Sequence, residues 1–192
     1  WDYLQYFINE ARRLGLKVTV STAMFPSGHP ATNEGLVYEE SRWDGKTCLE
    51  YTPDGKMLDI REDKKKVGAF LNPVRKDVRK FALSIVREIV KNYDVDAYAL
   101  DYCRYPGDDS DFSADSHKAF EHYLGKKVRN FPDNIFTWNA DGTKNPGVYY
   151  KEWWAFRANV ITSFVKEVRK EIHSINNKVE LEYSAASWIH GI

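Results

Sequence analysis

Helical spacing of apolar residues marks four segments of the chain. The first runs from Leu4 to Leu14, where Gly15 offers a left-handed stop. The second begins with Asn72 as N-cap and Pro73 at the first helical position. The other two cover 114–124 and about 149–175. The apolar face of the last helix is predicted to carry Trp154, Ile161, Phe164, Val165, Val168, Ile172 and Ile175.

Runs rich in β-branched and aromatic residues predict three strands between these helices, over 16–25, 95–101 and 179–188. Segments 26–72 and 106–148 follow the first two strands and read as long loops. Strands that alternate with helices in this order are parallel, with right-handed crossovers. The sequence therefore predicts an α/β fold, a partial (β/α)8 TIM barrel with about three parallel strands, flanking helices and two long βα loops.

A chain of 192 residues is long enough for one compact domain, and we expect a single partial barrel domain over 1–192. Three strands cannot close a barrel, so the N-terminal and C-terminal barrel strands are expected to lie outside this sequence. The chain starts at Trp1, already inside a helical pattern, which is typical of an internal fragment.

Charge and composition limit the kinds of partner that the chain is expected to bind. Lysine plus arginine number 28 and aspartate plus glutamate number 28, so no net field recruits nucleic acid or an anionic membrane. No apolar run approaches the 20 or so residues of a membrane span. The two cysteines, Cys48 and Cys103, form neither a disulfide framework nor a metal pattern, and no cofactor or metal is expected. The oligomeric state is left open.

The stretch DVDAYALDYCRYP, 94–106, carries the strongest chemical signal. Its small residues alternate onto one face of the strand together with Asp101, which ends the strand. Catalytic groups of α/β barrels lie at the carboxyl ends of strands, so Asp101 is the leading catalytic candidate. The alternative is an aspartate that caps a loop or pairs with Arg104.

Four neighbouring or facing side chains are predicted to bind substrate. Arg104 would hold Asp101 ionised, and Tyr102 and Tyr105 would hydrogen-bond a sugar or stack on it, although either tyrosine could equally serve packing. Arg157 lies on the apolar face of the last helix and needs a partner, for which Asp101 is one candidate. A structural salt bridge is the alternative for Arg157.

Three further residues complete the predicted site. His29 follows the first strand and has the position of a binding residue, although a lone loop histidine is commonly just solvated. Glu182 alternates onto the interior face of the last strand and could be the second carboxylate that glycoside hydrolysis needs. Trp138 belongs to an aromatic cluster around the second loop that fits either a glycan subsite or loop packing; the other members are Tyr149, Tyr150, Trp153 and Trp154.

The run FLNPVRKDVRKFALSIVREIVKNYDVDAYALDYCRYP resembles the family 10 glycosylhydrolase-like proteins, which are often labelled alpha-amylase-like. The flanking GLKVTVSTAMFPSGHP, YTPDGKM, SDFS and WAFRANVITSFVKEVRK are similar to the Bacteroidetes-type branch of that family. The resemblance implies a TIM-barrel hydrolase of extracytoplasmic glycans, with Asp101 at the position of the strand-four carboxylate.

The sequence thus leaves two alternative functions. The first is a glycoside hydrolase in which Asp101 is the nucleophile or the stabilising carboxylate, with Glu182 or a residue outside this chain as its partner. The second is a glycan-binding barrel without catalysis. A doubly wound small-molecule enzyme is disfavoured, because no glycine-rich turn follows either of the first two strands.

Overall fold

In the computed structural model, residues 1–184 are described, and they form two compact units. Unit 1 contains Trp1–Met24, Lys80–Cys103 and the described chain from residue 165 onward. Unit 2 contains Phe25–Arg79 and Arg104–Phe164, the two long segments that follow the first two strands of unit 1. The expectation of a single domain over 1–192 stays a prediction.

Five helices and seven strands make up the described chain. The helices are α1 Tyr3–Arg13, α2 Leu36–Glu39, α3 Lys76–Asn92, α4 Ala114–Leu124 and α5 Tyr150–Ile175, with one 3-10 turn at Ser41–Trp43. The strands are β1 Thr19–Ala23, β2 Leu49–Tyr51, β3 Met57–Asp59, β4 Ala97–Asp101, β5 Phe136–Trp138, β6 Lys144–Pro146 and β7 Glu180–Tyr183. Among these described helices, none is both long and apolar enough to cross a membrane.

The sheet of unit 1 has the order β1-β4-β7, and both pairs of strands are parallel. The predicted alternation of parallel strands and crossover helices is therefore confirmed. The predicted third strand reached residue 188; the structure gives β7 up to Tyr183, and 185–188 lie outside the described residues. Strands β1 and β4 are each a few residues shorter than the sequence pattern suggested.

The two faces of this sheet differ sharply. On one face, the side chains of Tyr98 and Leu100 in β4 are fully buried, and the Tyr98 hydroxyl is hydrogen-bonded to Thr22 of β1. The opposite face carries small or acidic side chains, and its members in β1 are exposed to solvent. By register and alternation these are Thr19, Ser21, Ala23, Ala97, Ala99, Asp101, Glu180 and Glu182.

Helix α3 begins later than predicted, at Lys76 instead of Pro73. The side-chain oxygen of Asn72 accepts the Val74 N–H at 3.0 Å, and the Asn72 carbonyl accepts the Arg75 N–H at 3.2 Å. Residues 73–75 therefore form a turn before the helix. Asn72 thus accepts an N–H in the manner of an N-cap, but the helix itself begins four residues later. The amide nitrogen of Asn72 donates to a buried carboxylate, Asp111.

Unit 2 is built around an aromatic core and two short antiparallel hairpins. The β2–β3 hairpin turns through Gly55, whose φ of +80° needs a glycine. The β5–β6 hairpin turns through Gly142, also at +80°, and lies in a segment predicted as loop. The core members are Tyr51, Tyr105, Phe112, Phe120, Val128, Ile135, Phe136, Trp153, Phe156 and Val160.

The buried face of α5 includes the predicted Phe164 and Ile172 but differs from the prediction at the start of the helix. Trp153 is 1% exposed and stacks on Phe112 at 5.1 Å between ring centroids, whereas Trp154 is 36% exposed. The expected apolar face included Trp154, so that part of the prediction was wrong. The helix places neighbouring residues about 100° apart, so only one of two consecutive tryptophans can enter the core.

One pH effect follows from unit 1. The Asp96 carboxylate accepts the Val18 N–H at 2.6 Å and pairs with Arg12 at 2.6 Å, and these contacts lower the pKa of Asp96. A lowered folded pKa stabilises the fold above the unfolded value of about 3.9, and this stabilisation is lost as pH falls through the folded value. Asp96→Asn should therefore flatten the loss of stability between about pH 5 and pH 2, measured as urea midpoints. Parallel curves for the two proteins would contradict the assignment.

Candidate functional site

Asp101 ends β4, the central strand of the parallel sheet, and is half-buried. Its carbonyl accepts the Met24 N–H at 2.9 Å, which continues the β1–β4 pairing past the end of the strand. Its side-chain Oδ1 accepts the N–H of Tyr102 at 2.9 Å. One oxygen of the carboxylate is therefore held by a backbone N–H. The side chain lies at the carboxyl ends of the parallel strands, where α/β proteins carry their catalytic groups.

Glu182 lies on the same face of the sheet as Asp101. Ala99 of β4 is paired with Glu182 of β7, and Asp101 follows Ala99 by two residues. Two residues along a strand and one strand across correspond to roughly 8 Å between Cα atoms. The two carboxyl groups of glycoside hydrolases lie about 5 to 9.5 Å apart, a spacing that Asp and Glu side chains on Cα atoms at this separation can reach.

Tyr102 has an unusual backbone conformation directly after Asp101. Its φ is +45°, in the left-handed region that bulky residues rarely adopt. This conformation turns the chain sharply at the strand end and brings the Tyr102 N–H to the Asp101 carboxylate. Strained residues of this kind are typical of functional sites. The structure thus gives the backbone of Tyr102 a definite task, whereas a sugar contact for its ring stays a prediction.

In unit 2, three consecutive residues after β4 are each held by a cation from a different element. Arg157 of α5 donates to the Gly107 carbonyl, and Lys144 of β6 pairs with Asp108 at 2.5 Å. Lys66, from the segment between β3 and α3, pairs with Asp109 at 3.2 Å and with Glu50 of β2. The segment 107–109 is therefore fixed from three sides.

The Lys66–Glu50 pair predicts a large stability effect, because the Glu50 side chain is only 3% exposed. Burial raises the pKa of Glu50, and Lys66 opposes that rise. Lys66→Met should lower the free energy of unfolding by about 3 kcal/mol, the low end for breaking a buried pair, since Lys66 is one-fifth exposed. Urea denaturation measures this loss, and the double variant with Glu50→Leu should recover most of it. A loss below about 1 kcal/mol would mean that the pair behaves like a surface pair.

Arg157 and Tyr105 are both buried, at 5% and 8% exposure. The Arg157 guanidinium lies 4.5 Å from the ring centroid of Tyr105 and 4.5 Å from that of Trp154. Its hydrogen bond goes to the Gly107 carbonyl and not to a carboxylate, and burial lowers the pKa of Arg157. Burial also raises the pKa of Tyr105. The structure gives both residues packing roles, and their contact with substrate stays a prediction.

The remaining predicted site residues lie in unit 2. Arg104 donates to the carbonyls of Tyr105 at 3.0 Å and Pro106 at 3.4 Å. Trp138 is half-buried, donates its indole N–H to the Tyr51 carbonyl at 3.1 Å and lies under the Lys144 ammonium. His29 is exposed in a tight loop where its N–H bonds the Glu34 carbonyl. Binding roles for these three stay predictions.

Sequence reasoning did not single out Asp111, which is the most heavily bonded carboxylate of unit 2. It is fully buried and accepts hydrogen bonds from the N–H groups of Leu49 and Ser113, the Asn72 amide, and the hydroxyls of Ser113 and Ser116. Burial raises its pKa, against the effect of these donors. A signal was available, because Asp111 and Ser113 belong to the SDFS motif quoted above.

Among residues 1–184, no three or more His, Cys, Asp or Glu side chains are grouped so that they could hold a metal ion. Cys48 and Cys103 are both buried, and no disulfide joins them. Among the described residues, the ionisable side chains on the sheet face that carries Asp101 are Asp101, Glu180 and Glu182.

The chain is similar in sequence to a protein family and to a curated relative. A family model described as Glycosyl hydrolase-like 10 matches residues 1–190. A curated relative, the S-layer-related protein of Niallia circulans, is 35% identical over 196 residues. That match covers 97% of this chain but 12% of the relative, so the chain spans about an eighth of the relative's length.

Solved structures share the fold at low sequence identity. The alpha-L-fucosidase isoenzyme 2 of Paenibacillus thiaminolyticus has a TM-score of 0.62 at 17% identity, covering 96% of this chain and 23% of that chain. The PgaB (BpsB) glycoside hydrolase domain of Bordetella bronchiseptica has a TM-score of 0.63 at 15% identity, covering 95% of this chain and 46% of that chain. The beta-galactosidase of the psychrophilic Marinomonas ef1 has a TM-score of 0.65 at 13% identity, covering 95% of this chain and 29% of that chain. The predicted fold, a fragment of a TIM barrel, is confirmed.

Proposed function

Because the chain belongs to the glycosyl hydrolase-like 10 family, we propose that it is part of an enzyme that hydrolyses O-glycosidic bonds of glycans. The observation that carries this proposal is the position of Asp101. It ends the central parallel strand on the face of small residues, with Glu182 on the same face one strand away. Most glycoside hydrolases use two carboxyl groups that flank the scissile bond, and Asp101 and Glu182 are the proposed pair.

In this mechanism Asp101 is the nucleophile or the carboxylate that stabilises the oxocarbenium-like transition state. The Tyr102 N–H bonds one oxygen of Asp101, which leaves the other oxygen for the sugar. Glu182, or a carboxyl group elsewhere in the protein, protonates the leaving oxygen and later activates water. Arg104, Tyr105, Arg157, His29 and Trp138 are proposed to bind sugar hydroxyls and ring faces, directly or by holding the residues that do.

The substrate class follows from charge and family. The chain carries no net charge, which favours a neutral glycan over a polyanion. The similar solved structures are named for different glycosidases, so the fold alone does not choose the sugar. The curated relative is named S-layer-related, which supports an extracytoplasmic glycan as the target.

The test is release of reducing ends from a panel of polysaccharides by the full-length protein. The proposal expects turnover on at least one member, with the products resolved by chromatography. A full-length, folded protein that binds a glycan of the panel without releasing reducing ends would contradict it.

That outcome would favour the second candidate, a glycan-binding barrel without catalysis. The observation in its favour is that the curated relative is named as an S-layer-related protein and not as a hydrolase. The two functions differ in one requirement, since binding needs no acid partner for Asp101.

A further inference from the structure

A cation in unit 2 contacts two aromatic rings, one of which is partly exposed. The Arg157 guanidinium lies over the rings of Tyr105 and Trp154, at 4.5 Å from each centroid. Tyr105 and Arg157 are buried, whereas Trp154 is 36% exposed. Because the guanidinium covers one face of the indole, the exposed part of Trp154 lies on its other face and edge.

The buried cation explains why this ring is fixed. Among the described residues, Nε and Nη1 of Arg157 have no hydrogen-bond acceptor, and the remaining nitrogen, Nη2, donates to the Gly107 carbonyl. The electron-rich faces of the two rings therefore help to compensate the charge, together with the Gly107 carbonyl. Rotation of Trp154 away from the guanidinium would remove its share of that compensation, which favours the observed orientation of the ring.

Tyr150 adds a second wall. It precedes Trp154 by one helical turn on α5, and its ring lies 6.1 Å from the Trp154 ring at an interplanar angle of 76°. The two rings form a near-perpendicular corner. The neighbouring aromatic residues have other tasks, since Trp153 is packed in the core and Trp138 lies under Lys144.

We propose that the Tyr150–Trp154 corner is a subsite that binds a neutral pyranose ring of the glycan, which stacks its C–H face on Trp154. The inference rests on the proposed function for its ligand class, because an aromatic corner of this kind suits the apolar face and polar rim of a sugar. Arg157 and Tyr105 are positioning residues for the stacking ring. Binding at this subsite does not require Trp154, Arg157 or Tyr105 to contact the reacting atoms.

Affinity electrophoresis of the full-length protein tests the subsite, with hydroxyethyl cellulose, laminarin, galactan and arabinoxylan as probes. At least one polysaccharide should retard the wild type, and Trp154→Ala should weaken that binding about tenfold, the loss expected for one well-stacked ring. Tyr123→Ala is the matched control, since Tyr123 is a 44% exposed aromatic residue on α4 and should leave binding unchanged. Trp154→Leu still covers the guanidinium but offers no ring, so it separates stacking from folding.

Equal retardation of wild type and a folded Trp154→Leu would overturn the subsite, and so would retardation by none of the four polysaccharides. Affinity electrophoresis of Asp101→Asn, together with its release of reducing ends, separates the two proposals. Loss of hydrolysis with unchanged retardation supports the catalytic role and leaves the subsite intact. If Trp154→Leu weakens binding while Asp101→Asn retains full turnover, the subsite stands and the proposed catalytic role of Asp101 fails.

Discussion

Asp101→Asn should lower the turnover number of the full-length protein at least about a hundredfold while leaving it folded. Asparagine keeps the shape of the side chain and can still accept the Tyr102 N–H through its amide oxygen. It cannot carry the negative charge that meets the developing positive charge on the sugar. Removal of one preorganised electrostatic group typically costs a factor of 10² to 10³ in turnover.

The control is Asp94→Asn, because Asp94 is an 81% exposed carboxylate that pairs with Arg12 on the surface. Its loss should leave turnover unchanged and alter stability by no more than about 1 kcal/mol. Glu182→Gln is the informative companion. A similar loss of turnover would identify Glu182 as the acid partner, whereas wild-type turnover would place that partner elsewhere in the protein. Near-normal activity of a folded Asp101→Asn would remove Asp101 from the mechanism.

Asp111→Ala should lower the free energy of unfolding of unit 2 by about 4 kcal/mol, which is exceptional for a single substitution. Asp111 accepts five hydrogen bonds in a fully buried site. Without it, buried donors of Leu49 and Asn72 lose their acceptor, and each unsatisfied group costs about 1–3 kcal/mol. Neighbouring losses do not add fully, so the sum stays below five separate penalties.

Urea unfolding followed by tryptophan fluorescence measures this effect, because Trp153 stacks on Phe112, the residue next to Asp111. Ser116→Ala is the graded control and should cost about 1 kcal/mol, since it removes one hydroxyl donor and leaves the carboxylate in place. An Asp111→Ala protein with the wild-type urea midpoint would contradict the role of this carboxylate as the hub of unit 2.

Much of unit 1 could be predicted from the sequence, because its signals are local. Alternation in β4 separates Tyr98 and Leu100 from the face that carries Asp101, and the register with β7 then brings Glu182 to that face. The stop of α1 before Gly15, which has a φ of +71°, follows from the freedom of glycine in the left-handed region.

Unit 2 was harder to predict because its order comes from contacts between distant segments. The hub at Asp111 joins Asn72 and Leu49, which are 39 and 62 residues away in sequence. Asn72 serves both segments at once, since its amide nitrogen donates to Asp111 while its side-chain oxygen accepts the Val74 N–H before α3. The β5–β6 hairpin was missed, although the Asp141–Gly142 pair is a turn signal.

The most direct test of the central claim is rescue of Asp101→Ala by a small carboxylate. Alanine removes the carboxyl group and leaves space for a formate ion, which supplies the missing negative charge. If Asp101 is the catalytic carboxylate, the variant should lose at least about a hundredfold in turnover, and formate should restore part of that loss. Wild-type turnover of Asp101→Ala, with no response to formate, would contradict the account.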